Sequence, residues 1–382
     1  MMSQSDPEWA LVGETLRLCA IPSVTGDEAA CAAYVEAELR KTPFGVERVG
    51  ETVLALSPGV DSRPLVLLVG HTDTVPSKPG DGPPVVVDDR IVGLGASDMK
   101  SGLAVMLELA RRLDPNRLAF RIGFVFYDKE EGPWAISGLG PTLEQVGWLR
   151  EAALAFCLEP SDNVVQVGCL GSLHARVTLL GQAAHSARPW QGRNAVHAAG
   201  RLLVALEDRV PRDVVLHGHL YREVISATLV QGGRTRNVIP DRCELNLNFR
   251  FAPGRAVEEA EAELHDLVAG AVSCPFQIEF AERAPSGRVV GDNAFLSEFL
   301  RLNGNAVAAK QAWTDVARLG AAGIDAVNLG PGESAQAHQA NESTAIPLIV
   351  ESYRQFHRFF HGDPGVQTFR DGLTAGTLSE FS

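Results

Sequence analysis

Residues 64–76 read PLVLLVGHTDTVP: five consecutive aliphatic residues, a glycine, and then His71-Thr72-Asp73 before the next proline. A continuous apolar run of that kind reads as a strand covered on both faces, as inside a parallel sheet. Apolar burial alone gives such a strand no reason to finish on ionisable side chains. Residues two apart in an extended chain share a face, so His71 and Asp73 can touch the same object or each other. A polar site is therefore expected where this strand ends.

Outward from that strand, apolar residues at helical spacing run from Trp9 to Ile21 and stop at Pro22. They resume behind a capping-box pattern, Thr25 to Glu28, which predicts a helix to about Lys41. Strand patterns at 52–56, 65–69, 85–87 and 91–92 precede helical periodicity from Met99 to Leu113, and FRIGFVFY reads as the next buried strand. Strand and helix alternate, the signature of an α/β layer with a largely parallel sheet. After Pro160 the pattern changes. SLHARVTLLG alternates apolar and polar residues, and the order that follows (helix 194–207, strands 224–230 and 243–251, helix 257–272, strand 276–280) is β-α-β-β-α-β, close to a ferredoxin-like unit. A second domain at 171–282, inserted into the first, is expected. The α/β pattern returns from Asp292 and ends in a helix at 346–360.

With 382 residues, two domains are the natural expectation. A formal charge of −13, from 47 acidic against 34 basic residues, argues against nucleic acid or an anionic membrane as the main partner. The six cysteines are scattered without a C-x-x-C pair, as expected of core residues in a reducing cytoplasm. MMSQSDPEWA lacks the basic-then-apolar order of a signal peptide, and no run approaches the roughly 18 apolar residues of a membrane span.

Polar groups recur where this topology would gather them. GLGASDMKSG puts Asp98 just before a helix, FVFYDKEEG puts Glu130 and Glu131 just past a strand, ALAFCLEPSD ends another strand on Glu159, and PGESAQAHQANE supplies His338. Ligand sites in α/β sheets lie beyond the carboxyl ends of strands, so these groups are expected to converge with His71 and Asp73. Singly, each has an ordinary structural use: the aspartate as a helix cap, the glutamate pair as a solvated loop, a histidine as packing. Together, two histidines and several carboxylates form a mixed nitrogen and oxygen set suited to zinc, manganese or cobalt and not to calcium. A shared carboxylate, with one histidine and one further carboxylate on each side, could hold two divalent ions about 3.5–4 Å apart. One glutamate of the pair then serves to move a proton from water to a leaving amine, which is the chemistry of amide hydrolysis.

In this order and at these spacings, GHTDTVP, GLGASDMKSGLAVML, DKEEG, LEP, GQAAHSARP, TRNVIPD and GPGESAQAHQANE resemble the M20 metallopeptidase family of aminoacylases, carboxypeptidases and deacylases. The likeness is greatest to its succinyl-diaminopimelate desuccinylase branch, in the actinobacterial-type form that HSARPW and TDVARLG also resemble, and it spans about residues 11–360. It implies a discontinuous α/β catalytic domain with a mostly parallel sheet (1–170 and 283–361), an inserted ferredoxin-like α+β lid and dimerisation domain (171–282), and a tail at 362–382. Residue by residue, it implies that His71 and Glu159 bind one zinc, that Glu131 and His338 bind the other, and that Asp98 bridges them. Cobalt or manganese are the alternative metals. Glu130 is implied as general base and then acid, Asp73 as the group that fixes the His71 tautomer, and the Asp98–Met99 peptide as cis.

The resemblance also reaches the inserted domain. His185 matches a family histidine that crosses a dimer interface to the oxyanion, and Arg250 a family arginine that grips a substrate carboxylate through its planar fork. Asn237 and Thr314 match polar substrate contacts. The implied activity is hydrolysis of N-succinyl-LL-2,6-diaminopimelate by a cytoplasmic homodimer. An acetylornithine deacetylase, aminoacylase or carboxypeptidase of the same family would carry the same metal set, and a non-catalytic binding relative would not need it. Two departures stand out. Lys129 replaces the acid many relatives carry before the glutamate pair, and strand alternation predicts that it points away from Glu130. Cys169-Leu170-Gly171 stands where enterobacterial desuccinylases have an arginine before the Gly-Ser-Leu. Arg188 and Arg193 flank His185 as candidate carboxylate contacts or a solvated basic loop, and His217 and His219 read as surface residues.

Overall fold

In the computed structural model, which describes residues 7–59 and 62–361, the chain opens with helices α1 (Pro7–Ala20) and α2 (Ala29–Leu39) and a hairpin of β1 (Gly45–Val49) and β2 (Thr52–Leu56). The aliphatic run forms β3 (Leu65–His71), every residue of which is buried. Next come β4 (Val85–Val87), β5 (Arg90–Val92), α3 (Ser101–Arg112), β6 (Arg121–Tyr127), α4 (Leu139–Gln145), β7 (Ala152–Cys157) and β8 (Val165–Val167). The chain then makes β9 (Gly171–Leu180), α5 (Ala195–Glu207), β10 (Arg212–Leu216), β11 (His219–Gly232), β12 (Arg242–Phe251), α6 (Val257–Ala271) and β13 (Phe276–Ala284). It closes with α7 (Ala294–Asn303), β14 (Val307–Ala309), α8 (Val316–Ala321), β15 (Ala326–Asn328), β16 (Ser343–Ala345) and α9 (Ile346–His361). The expected tail at 362–382 lies outside the described residues.

Two compact units result. Of the described residues, one unit comprises those up to Val167, Val290–Ala308 and those from Arg318; the other is Gly168–Val289 with Ala309–Ala317. The sequence reading put the inserted segment at 171–282; the second unit also takes in 309–317, which has no strand pattern to mark it.

In the first unit, the main sheet of the described residues has the order β1-β2-β6-β3-β7-β15-β8-β14. β3 runs parallel to β6 and β7, and β15 runs parallel to β7, while β1, β2 and β8 are antiparallel to their neighbours. Strands hydrogen-bonded on both edges and packed on both faces bury every position, which is why β3 shows no alternation. Gly70 makes room there: a Cβ would lie 2.5 Å from Met99 Cε and 2.8 Å from Leu103 Cδ2, so glycine lets these two side chains lie against the strand. Helix α3 begins at Ser101, after a turn at Ala96–Lys100 that contains a cis peptide between Asp98 and Met99.

The predicted capping box does not form. Thr25 Oγ1 donates instead to Asp73 Oδ2 at 2.9 Å, and Glu28 accepts from the Gly26 N–H at 2.6 Å ahead of α2. A tertiary partner has displaced the local one.

The second unit holds the antiparallel order β10-β11-β12-β9-β13. Without β10 this is the 4-1-3-2 order of a ferredoxin-like sheet. Asn194 caps α5 by accepting from the Val196 and His197 N–H groups. α5 and α6 cover one face through Leu173, Val177, Leu245, Leu247 and Phe249. The reading overlooked β10, which pairs with β11 across a turn at His217 and Gly218, both at positive φ. The His-x-His pair is thus a hairpin corner of the kind that left-handed residues favour.

In the first unit, Phe156 lies 4.9 Å from Phe299, 5.2 Å from Phe356 and 6.0 Å from Phe359, ring centroid to centroid, so helices α7 and α9 close on the sheet through one aromatic knot. Phe156→Ala is expected to destabilise the protein by about 3–5 kcal/mol, read by denaturant unfolding.

Candidate metal centre

The carboxyl ends of β3, β6 and β7 point the same way, and the residues that follow them gather in the first unit. His71 closes β3 and is fully buried. Its Nδ1 faces the Asp73 main-chain carbonyl at 3.0 Å and the Asp73 carboxylate at 3.5 Å, leaving Nε2 3.2 Å from Asp98 Oδ1. Asp98 turns its other oxygen, Oδ2, to His338 Nε2 at 3.6 Å, and His338 Nε2 is 2.9 Å from Glu131 Oε1. Ligand atoms of His71, Asp98 and Glu159 lie within 4.8 Å of one another, as do those of Asp98, Glu131 and His338, and those of His71, Glu130 and Glu131. Asp98 therefore belongs to a trio on either side.

Asp73 works harder than the sequence suggests. Its Oδ1 accepts from the Glu130 N–H and its Oδ2 from the Glu131 N–H, both at 3.0 Å, so one carboxylate fixes the loop that carries the glutamate pair while its own carbonyl orients His71. Lys129 does point away, for a different reason than alternation. The strand has already ended, Lys129 sits at φ 61°, and its ammonium bonds Asp128.

Five carboxylates, Asp73, Asp98, Glu130, Glu131 and Glu159, around two imidazoles make a strongly negative pocket. Burial opposes a charge on His71, yet Asp73, Asp98, Glu159 and Glu130 together push its pKa well above the ordinary value. The Glu131 hydrogen bond raises that of His338. Both rings are drawn toward carrying positive charge, and a divalent cation would supply it. The donor set, one imidazole nitrogen and carboxylate oxygens on each side of a shared aspartate, fits zinc, cobalt or manganese.

Glu342 escaped the sequence reading. It is 2 % exposed, and its carboxylate accepts from three backbone N–H groups of the Asp98 turn: Gly95 at 2.9 Å, Ser97 at 2.7 Å and Asp98 itself at 2.7 Å. Burial pushes its pKa up to about 7. It stands four residues after His338 and so ties that segment to the turn bearing Asp98. The signal was present in AHQANE, a glutamate at the edge of a strand, but such a residue ordinarily faces water.

The remaining candidates belong to the second unit. His185 forms a bridge with Val238, and the Ser186 N–H donates to the Asn237 carbonyl at 2.9 Å, so His185 and Asn237 share one loop pair. Arg250, in β12, is half-buried, its pKa lowered by desolvation. The Thr314 hydroxyl is buried and finds no hydrogen-bond partner among the described residues.

Comparison with known proteins gives a consistent picture. Residues 167–272 match a family model described as a peptidase dimerisation domain, and residues 52–175 one for peptidase family M28. The chain is 39% identical over 351 residues to a putative succinyl-diaminopimelate desuccinylase of Mycobacterium tuberculosis, covering 91% of this chain and 97% of that protein. It is 36% identical over 365 residues to the succinyl-diaminopimelate desuccinylase of Corynebacterium glutamicum, covering 92% and 97%. Among solved structures, a tripeptidase of Staphylococcus aureus superposes with a TM-score of 0.76 at 20% identity over 93% of this chain and 98% of that one. A Bacillus subtilis protein described as a dinuclear metal-binding peptidase of the M20 family gives 0.67 at 16% over 92% and 97%.

The Glu342 contacts carry a prediction. Glu342→Gln puts an amide donor against the backbone N–H groups of the Asp98 turn and is expected to weaken zinc affinity about 10–100-fold, measured by competition with a chromogenic chelator. Unchanged affinity would mean that the turn holds its shape without it.

Proposed function

This chain belongs to the succinyl-diaminopimelate desuccinylase family of M20 metallopeptidases and is a metal-dependent hydrolase, and on that premise we propose that it hydrolyses N-succinyl-LL-2,6-diaminopimelate to succinate and LL-2,6-diaminopimelate. The identity of 36–39% to desuccinylases over nearly the whole chain carries the choice of substrate, and the double use of Asp98, whose two oxygens face His71 and His338, supports metal-dependent hydrolysis. In it, His71 and Glu159 would hold one divalent ion, Glu131 and His338 the other, and Asp98 would serve both, with zinc as the metal; when bound, such ions would polarise the scissile carbonyl and lower the pKa of the attacking water.

The protein's own groups do the rest. Glu130 takes the proton that water gives up as its oxygen bonds to the amide carbon, then delivers it to the nitrogen as the C–N bond breaks. Asp73 supports this by holding the Glu130 N–H. His185, from a second copy of the chain, donates to the carbonyl oxygen as negative charge develops there. Arg250 binds a substrate carboxylate, assisted by Asn237 and by the buried Thr314 hydroxyl. The reading puts the enzyme in the cytoplasm, in keeping with six cysteines that form no disulfide. No described helix is long and apolar enough to cross a membrane.

The second copy has a natural place to dock. β10 pairs with β11 only up to Glu223, leaving the outer edge of the rest of β11 unpaired among the described residues. Leu229 on that stretch is 70% exposed, and Val204 on α5 56%. An exposed strand edge with apolar side chains is a template for pairing with another chain.

Two tests follow. Glu130→Gln should lower the rate of succinate release from N-succinyl-LL-2,6-diaminopimelate by about 10²–10⁴-fold while zinc content stays at the wild-type level. Faster turnover of acetylornithine or dipeptides than of the succinyl substrate would move the chain to another activity of the family. Leu229→Asp should shift sedimentation from dimer to monomer and cut kcat by about 10²–10³-fold as His185 is lost from the partner's site; a fully active monomer would remove His185 from the mechanism.

A further inference from the structure

The face of the second unit's sheet that α5 and α6 leave uncovered carries a hydrogen-bonded line of polar side chains ending at Arg250. Arg250 Nε donates to Asn248 Oδ1 at 3.0 Å. Asn248 Nδ2 lies 2.9 Å from His174 Nε2, 3.4 Å from the Leu173 carbonyl and 3.5 Å from Ser172 Oγ. Beyond the ring, His174 Nδ1 is 3.3 Å from Asn246 Nδ2, which also donates to Thr228 Oγ1 at 2.6 Å.

Donor and acceptor counting fixes the polarity of this line. A guanidinium has no acceptor, so Asn248 must turn its oxygen to Arg250, and the Leu173 carbonyl demands the same orientation because it can accept only from the amide nitrogen. The Asn248 NH₂ group therefore faces His174, whose Nε2 must be unprotonated to accept from it. In the neutral ring the proton then sits on Nδ1, which requires the Asn246 amide to turn so that its oxygen, and not the Nδ2 now 3.3 Å away, faces the ring.

We propose that His174 is a positioning residue for Arg250: as an acceptor at Nε2 it holds Asn248, and through Asn248 it holds the guanidinium in its carboxylate-binding orientation. This rests on the reading of Arg250 as the ligand of a substrate carboxylate. A proton on Nε2 sets two donors face to face. Asn248 must then turn, its NH₂ meets Arg250 Nε, also a donor, and the fork is released. The Glu282 carboxylate on β13 lies 3.8 Å from His174 Nε2. Further along β9, Arg176 is engaged by Glu279 at 3.3 Å, and on β12 Glu244 is engaged by Arg242. The other face of β9 is apolar.

The test is steady-state kinetics at neutral pH on the zinc-loaded enzyme with N-succinyl-LL-2,6-diaminopimelate, comparing wild type, His174→Gln, His174→Leu and Arg250→Met. His174→Leu should raise KM about tenfold, the worth of one hydrogen bond to a charged group, with no matching change in kcat. His174→Gln keeps an acceptor, so its KM should stay near the wild-type value. The His174→Leu effect should vanish in an Arg250→Met background. Identical KM values in wild type and both His174 variants, with Arg250→Met impaired, would overturn the relay alone. No KM change in Arg250→Met would overturn the reading of Arg250 and the relay with it. A substrate-free readout stands beside the kinetics: ¹⁵N NMR of the His174 ring at neutral pH should show the Nδ1–H tautomer, and the Nε2–H tautomer would refute the inference.

Discussion

Asp98 has to face two imidazoles at once, Oδ1 toward His71 at 3.2 Å and Oδ2 toward His338 at 3.6 Å. A short side chain can do this only if its backbone is held, and much of the first unit around it serves that end. Glu342 gathers the N–H groups of the turn from below. Gly332 lets the His338 segment approach so closely that a Cβ there would lie 2.1 Å from the Ser97 carbonyl oxygen. Gly70 admits Met99 and Leu103 against β3. The steric needs of the sheet and the geometric needs of the site are met by the same atoms.

The second constraint is charge. Burying carboxylates is costly unless each finds donors. Asp73 and Glu342 find them in backbone N–H groups, which leaves Asp98, Glu130, Glu131 and Glu159 directed at a common space with His71 and His338. This division is economical. The carboxylates bonded to backbone shape the loops, and those that converge are available to cations and to a moving proton. The second unit has a parallel logic, in which Asn248 bonds both Arg250 and His174 much as Asp73 and Glu342 bond the loops that carry the converging groups.

Much of this was legible in the chain. An aliphatic run ending in His71-Thr72-Asp73 implies a buried strand with a polar task at its end, and the placing of Asp98, Glu131, Glu159 and His338 after strands or before helices led to one cluster. What stayed hidden was tertiary. Thr25 looks like a helix cap because capping is a local pattern, and it becomes a partner of Asp73 only when α2 is brought to β3. Glu342 looks like a solvated residue because nothing nearby in sequence says that three N–H groups will converge on it. The turn at His217 and Gly218 demanded a left-handed histidine, which no hydrophobic period can announce.

The account stands or falls on Asp98 being shared. Crystals grown with zinc and measured across the zinc absorption edge test this directly. Two anomalous peaks about 3.5–4 Å apart are expected, one beside His71 and Glu159, the other beside Glu131 and His338, with an Asp98 oxygen on each. A single peak at full occupancy, or two peaks with Asp98 ligating only one, would contradict it.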